Sequence, residues 1–502
     1  MKSVRLINYR CFQDTGKIEL KPITILVGAN SSGKSSFIKL FPLIKQSIGI
    51  RRNGMFLWNS VDGVDFDSFI NTLKVGERNM SLVFELENFV LDTQYGRAGR
   101  ENKSIVSLRV RITLSKNDKG YDYLRNLSIS FADQFINVDV NEHYSVTSLN
   151  INGYKINKEN EAMKLFSTNS LLPRFAFIKE GHIEDEASPT CWNIISKLIG
   201  DEDKRSLRFS RVRLFRSDFL QYRNFVNSLF TKEIKKEAGP YDYATLYLWY
   251  NLNEIIDSIN YRFLTLSTHI SYIQPLRAMA QRYYRVQNLA YDDIASDGTN
   301  LAMFLHNLPK DFLEDFKSWV KNLFGFKIDL KKSGGHVQIM IEQKNEPERN
   351  LIDVGFGYSQ ILPILASIWR AVNDHNVIKL SNRSRGLTSS NEHIIVIEQP
   401  ELHLHPRFIS NFAEMLVKVI YFAKRDKEDL KIIVETHSET LINKIGELIG
   451  LNTHISKDDV NVLLFNARLE GMESYISISR FSVDGYLVNW PYGFFSGDYF
   501  EK

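Results

Sequence analysis

Cysteine is nearly absent. The 502 residues include only Cys11 and Cys191, too few and too far apart for a disulfide framework, so a reducing compartment is expected. Neither sits in surroundings that read as those of a nucleophile. Proline (12) and glycine (27) are sparse, which excludes collagen-like and low-complexity chains. Charge of one sign is not in excess, since 63 Lys and Arg against 59 Asp and Glu leave +4 and point to no polyanion partner by composition alone. No stretch approaches the roughly 18 apolar residues of a membrane span. The opening MKSVRLINYRCFQD carries charges where a signal peptide has its apolar segment. A soluble, cytoplasmic protein with no membrane partner is expected.

What is present is the composition of a folded chain, 43% hydrophobic and 24% charged. At roughly 100–200 residues per domain, the length admits several modules or one large domain with insertions. The opening reads as strand, turn, strand, then an apolar run, a loop of small residues and a helix. From about Ser81 to Ile156, short β runs such as SLVFELENFVL and SIVSLRVRITL alternate with polar turns, as in an antiparallel sheet. From Cys191 to about Phe324 the pattern is helical and charge-rich, with no sustained heptad. The β/α pattern then returns, with VQIMIEQ, QILPILASIWRAV, HIIVIE and KIIVET. The expected division is 1–190, an N-terminal lobe with a β insertion; 191–265, a helical arm; and 266–502, a C-terminal lobe.

The strongest local signal is GANSSGKSS. It fits G-x-x-x-x-G-K-[ST] with Gly28, Gly33, Lys34 and Ser35, and it lies between the β run ITILV and a helix. Glycines let backbone N–H groups curl around phosphates, and the start of a helix adds partial positive charge. Asn30, Ser31 and Ser32 lie within this cradle and Ser36 directly after it. Lys34 would reach the terminal phosphates, and the Ser35 hydroxyl would serve Mg²⁺.

Such a loop needs an acid on a neighbouring strand to hold the metal. In HIIVIEQPELHLHP, Glu398 follows the apolar residues Ile394 to Ile397. The carboxyl ends of strands in an α/β sheet are where ligands bind, so Glu398 is the candidate metal acid beside Ser35. His403 and His405, with Glu401 nearby, admit a metal-site reading, but a full ligand cluster is missing.

These segments together resemble ABC-type ATPases of the SMC, RecF and OLD kind. EQPELHLHP is similar to their Walker B and D-loop region, and DVGFGYSQILPIL to their signature region. KIIVETHSE is similar to the switch-histidine strand, which singles out His437. NYRCF resembles the first-strand element and adds Arg10 to the nucleotide-binding candidates. YIQPLRAMAQRYY, SDGTNLAMFL and the closing GYLVNWPYGFF resemble further segments of bacterial ATPases in this class. The resemblance implies an α/β fold: an ABC-type P-loop ATPase head with an attached antiparallel β region and an inserted helical arm or lid.

The resemblance also implies a mechanism. ATP and Mg²⁺ would be sandwiched in a homodimer or larger homo-oligomer, with Ser359 and Gln360 of one subunit closing over the phosphates held by Lys34 of the other. The D-loop reading of His403 and His405 is then preferred to a metal site. One position departs from the pattern: where most such enzymes carry the glutamate that polarises water, this chain has Gln399. An amide orients water but accepts no proton. Glu401 or His437 takes over, or turnover is slow.

Between Lys204 and Arg223 there are seven basic residues and one acid, interleaved with Phe209, Phe215, Phe219 and Tyr222. Such a run either tracks a nucleic-acid backbone or forms the solvated face of a helix. No nuclease cluster follows His437, so a separate effector protein is expected, by likeness to defence ATPases. The rival functions are a nucleotide-gated scaffold with negligible turnover and a DNA-binding clamp of the repair kind.

Overall fold

A computed structural model describes residues 1–60, 63–90, 105–156, 162–166, 169–179, 182–184, 245, 248–249, 251–287, 289, 291, 293–380, 392–467 and 474–491. The basic run at 204–223, Cys191 and the final GFF lie outside the described residues. The chain divides into two units, Met1–Glu19, Gln46–Asn59 and Asp65–Ser267 forming one, and Leu20–Lys45, Ser60–Val64 and Thr268–Lys502 the other.

The first unit is built on a nine-stranded sheet in which every pairing is antiparallel. Asn79–Val90, Ile105–Lys116, Asp122–Phe131, Gln134–Val140 and Val146–Ile151 follow each other in space as in sequence, and Asn79–Val90 also pairs with Ser3–Tyr9. Along Ile105–Lys116, Leu108, Val110, Ile112 and Leu114 are fully buried, the period-two signature of a sheet with one face in a core. The helix Leu252–Thr268 belongs largely to this unit. Phe263 meets Phe84 edge to face at 5.3 Å. Asn253 pairs with both backbone groups of Phe175, and Asn260 with both of Leu172, at 2.7–2.9 Å. Each asparagine thus satisfies backbone polar groups that burial would otherwise leave unpaired.

In the second unit, strands are numbered β1 (Ile23–Gly28), β2 (Ile270–Ile273), β3 (Glu392–Glu398), β4 (Asp429–Glu435), β5 (Val460–Ala467), β6 (Ser474–Phe481) and β7 (Leu487–Val488). Their order in the sheet is β2-β3-β4-β1-β5-β6-β7. The first five strands of that order run parallel, and β6 and β7 add antiparallel. A parallel strand with helices on both faces has no wet side, which is why β1 and β3 are buried at every residue and are largely apolar, as in Ile394 to Ile397.

Helices α1 (Lys34–Ile38), α2 (Phe356–Leu380), α3 (Pro406–Arg425) and α4 (Glu439–Gly450) belong to this unit. The apolar stripes of α3 and α4, among them Phe412, Leu416, Ile420, Leu441 and Ile445, join Ile25, Val27, Ile395, Ile397 and Val434 in one core. Each such side chain contributes about 1.5–3 kcal/mol on burial. The result is a rigid floor that fixes where the strands end. The mixed α/β class expected from the sequence is the one observed. Of the expected helical arm, residues 191–244 lie outside the described residues.

Candidate active site

The carboxyl ends of β1, β3 and β4 lie side by side, because β4 pairs with both of the others. After β1 the chain turns at Gly28, whose φ of 152° and tight surroundings admit no side chain: a Cβ there would lie 2.4 Å from the Phe465 carbonyl oxygen. The loop runs on through the exposed Asn30 and Ser31 to Gly33, which caps α1 at φ 104°. Within it, the buried Ser32 hydroxyl has no partner among the described residues. Ser36 follows, half-buried, in the first turn.

Lys34 is only 4% exposed. Its ammonium donates to the carbonyls of Gly28 (2.9 Å) and Ala29 (2.8 Å) and stands 3.8 Å from Glu435. Burial lowers its affinity for its proton, and the charges of Glu435 and Glu398 oppose that effect. Ser35 Oγ donates to Glu435 Oε2 at 3.3 Å. Glu398 and Glu435 are in-register partners at the ends of β3 and β4. Burial, followed by the Glu398 charge, pushes the Glu435 carboxyl up to about 7, and burial raises that of Glu398. Two carboxylates that both resist ionisation invite a cation between them. A hydroxyl and two carboxylates form an all-oxygen donor set, which suits Mg²⁺, with phosphate oxygens and water completing the shell. Cradle and donor set therefore fit a magnesium nucleotide.

A family model described as AAA ATPase domain matches residues 1–442. The chain belongs to that family. An ATP-binding ATPase domain accords with the loop and acids described above. Among solved structures, the chain is similar to an SMC head bound to the C-winged helix domain of ScpA (TM-score 0.37, 10% identity, 95% of this chain and 96% of that one). It is also similar to the SMC head domain from Thermotoga maritima (TM-score 0.34, 11% identity, 95% and 97%). A third is an Smc head domain with an extended coiled coil bound to the C-terminal domain of ScpA derived from Pyrococcus furiosus (TM-score 0.35, 10% identity, 95% and 95%). No curated protein matches the chain.

In this ATPase domain, Gln399 occupies a left-handed turn (φ 42°) directly after β3, and its N–H donates to the Glu435 carbonyl at 2.8 Å. Both carboxylate oxygens of Glu401 are engaged, accepting from Thr436 Oγ1 (2.8 Å) and the His437 N–H (2.7 Å). Glu401 thus ties the end of β4 to the turn after β3. His437 is exposed over part of its surface, and the covered part of its ring, followed by the Lys34 charge, lowers its pKa, so its neutral form is favoured at physiological pH.

Ser359 and Gln360 lie at the start of α2, and both are buried. Ser359 Oγ donates to the Phe356 carbonyl at 2.7 Å. Arg10 belongs to the first unit, where its guanidinium lies over the Phe66 ring at 5.3 Å. His405 caps α3, its Nδ1 accepting from the Arg407 N–H at 3.2 Å, and His403 packs edge to face on Phe356. No cluster of three or more His, Cys, Asp or Glu ligands occurs among the described residues. Nor is any described helix long and apolar enough to cross a membrane.

Sequence reasoning passed over Glu435 and Tyr272. Glu435 closes the apolar run of β4 as Glu398 closes that of β3, a signal present in KIIVE but masked by the histidine beside it. Tyr272 opens the YIQPLRAMAQRYY segment, but nothing in that segment points to Glu398; only the pairing of β2 with β3 brings the two together.

Proposed function

We propose that the protein is an ATP-driven switch: Mg²⁺ and ATP bind at the Lys34 loop, closure pairs two copies of the chain, and slow hydrolysis reopens them. The observation that carries this reading is the convergence of Lys34, Ser35, Glu398 and Glu435 at the ends of three adjacent parallel strands. Lys34 would exchange its loop carbonyls for phosphate oxygens. Ser35, Glu398 and Glu435 would hold Mg²⁺, which when bound neutralises charge on the phosphates.

Slow turnover is favoured by a specific observation. Gln399 cannot take a proton, and Glu401 has both oxygens committed to Thr436 and His437. Of the three candidates only the neutral imidazole of His437 remains as a proton acceptor, on an exposed residue. A nucleotide-gated scaffold is the limiting case of this reading.

Pairing of two copies is supported by the order of motifs along the chain and by the exposed Gly355–Phe356 turn in front of Ser359 and Gln360. Control of a separate effector protein, in bacterial antiviral defence, is supported by the likeness of the PLR, DGTNL and WPYGFF segments to stand-alone defence ATPases. A clamp on DNA is supported only by the basic run at 204–223. The test is sedimentation of the parent protein, whose slow turnover should leave ATP bound. A dimer that appears with Mg²⁺ and ATP and dissolves on nucleotide removal is expected; a monomer under both conditions overturns the switch.

A further inference from the structure

The segment SYIQPLR stands out in the sequence yet has no part in the nucleotide chemistry described so far. Tyr272, on β2, donates its hydroxyl to Glu398 Oε1 at 2.6 Å, and both groups are buried. Burial and the two neighbouring carboxylates push the Tyr272 phenol well above its ordinary range, so it remains a donor. A carboxylate with one oxygen fixed in this way presents the other in a single direction.

Five residues on, Arg277 is 5% exposed. Its Nη2 donates to the Glu398 carbonyl at 2.7 Å and more weakly to that of Gln399 at 3.4 Å, while Nε and Nη1 have no partner among the described residues. Burial lowers its pKa to about 10 against the favourable charges of Glu401 and Glu398. A buried guanidinium with unpaired N–H groups costs stability, and an apolar residue of similar size would not. Its place beside Glu398 and Gln399 fits a role in the site rather than in the core.

The segment is itself anchored. Gln274 N–H donates to the Ser296 carbonyl and Ala278 N–H to that of Asp297, each at 2.8 Å. Asp297 in turn accepts from Thr299, and Asn300 donates to the Asp293 carbonyl. SYIQPLR and SDGTN thus form one hydrogen-bonded brace beneath the end of β3.

We propose that Tyr272 and Arg277 are positioning residues of the ATPase site: Tyr272 orients the Glu398 carboxylate toward the metal, and Arg277 holds the left-handed Gln399 turn that faces the attacking water. This rests on the ATPase reading above. Neither side chain touches nucleotide; both act through residues 398 and 399.

The test uses the full chain and two readouts. Mn²⁺ binding to the protein in the presence of the non-hydrolysable analogue AMPPNP is followed by electron paramagnetic resonance, and phosphate release by steady-state kinetics. Tyr272→Phe, which keeps the ring, should weaken Mn²⁺ binding and lower kcat by about tenfold each, with the ATP KM within about twofold. Arg277→Lys should lower kcat by a similar factor with Mn²⁺ affinity unchanged, and millimolar guanidinium should restore turnover to Arg277→Ala. Tyr272→Phe with Mn²⁺ affinity and kcat both within about twofold of the parent overturns the role of Tyr272. A full-rate Arg277→Lys, or losses confined to thermal stability, overturns that of Arg277. If turnover of the parent is too slow to measure, Mn²⁺ affinity decides for Tyr272. A parent that binds no Mn²⁺ with AMPPNP instead overturns the nucleotide-site reading, and the brace with it.

Discussion

Glu398 and Glu435 end adjacent parallel strands as direct partners in register, and Lys34 stands 3.8 Å from the second of them. Like charges so placed and so buried are tolerated only because one carboxyl keeps its proton or because a cation is shared between them. With no cation present, the buried pair favours retention of a proton, which burial and the Glu398 charge promote on Glu435.

A pH dependence of stability follows. The Glu435 carboxyl titrates near 7 in the folded protein, well above its ordinary value, so between these limits the folded state holds a proton that the unfolded chain gives up. Its contribution is fully present below the unfolded pKa and is lost as pH rises through the folded one. Denaturant titrations of the metal-free protein from about pH 5 to pH 8 should show stability falling by an amount on the order of 3 kcal/mol from this group. Glu435→Gln should remove that slope.

Gly28 is fixed by two independent constraints. Gly28→Ala places a methyl 2.4 Å from the Phe465 carbonyl and 2.9 Å from Ser32 Oγ in a backbone conformation that L side chains avoid. A loss of about 1–3 kcal/mol in stability is expected, together with loss of ATP binding, measured by thermal denaturation and equilibrium binding.

Replacing Gln399 by glutamate restores a group able to accept a proton beside the Glu398 strand end. Gln399→Glu should raise the steady rate of phosphate release by at least about tenfold without changing the ATP KM. An unchanged rate would mean that position 399 does not face the water.

Glu401 holds the turn after β4, accepting from Thr436 Oγ1 and the His437 N–H. Glu401→Ala leaves the buried Thr436 hydroxyl without its acceptor and should cost about 1–3 kcal/mol, whereas Glu401→Gln, which keeps one acceptor oxygen, should cost less. Thermal denaturation of the two variants checks the order.

Much of this site was legible in the chain. GANSSGKSS between an apolar strand and a helix names its own chemistry, and Glu398 is marked by the buried run before it. Fully apolar strands of a parallel sheet are visible for the same reason, since both faces are covered. What could not be read was lateral: which strand lies beside which. The pairing of β4 with both β1 and β3 brings Glu435 to Ser35, 400 residues away in sequence, and the pairing of β2 with β3 brings Tyr272 to Glu398. Nor does local sequence reveal that Glu401, a candidate base by type and position, has both oxygens occupied. Competition for hydrogen bonds is decided by tertiary contacts.

The measurement closest to the central claim is release of phosphate from ATP by the purified protein and by Lys34→Ala, at saturating Mg²⁺ and with both proteins shown to be folded. Slow release by the parent, abolished in Lys34→Ala and lost again when Mg²⁺ is chelated, is expected. Equal release by the two proteins would contradict a nucleotide site at Lys34, Glu398 and Glu435.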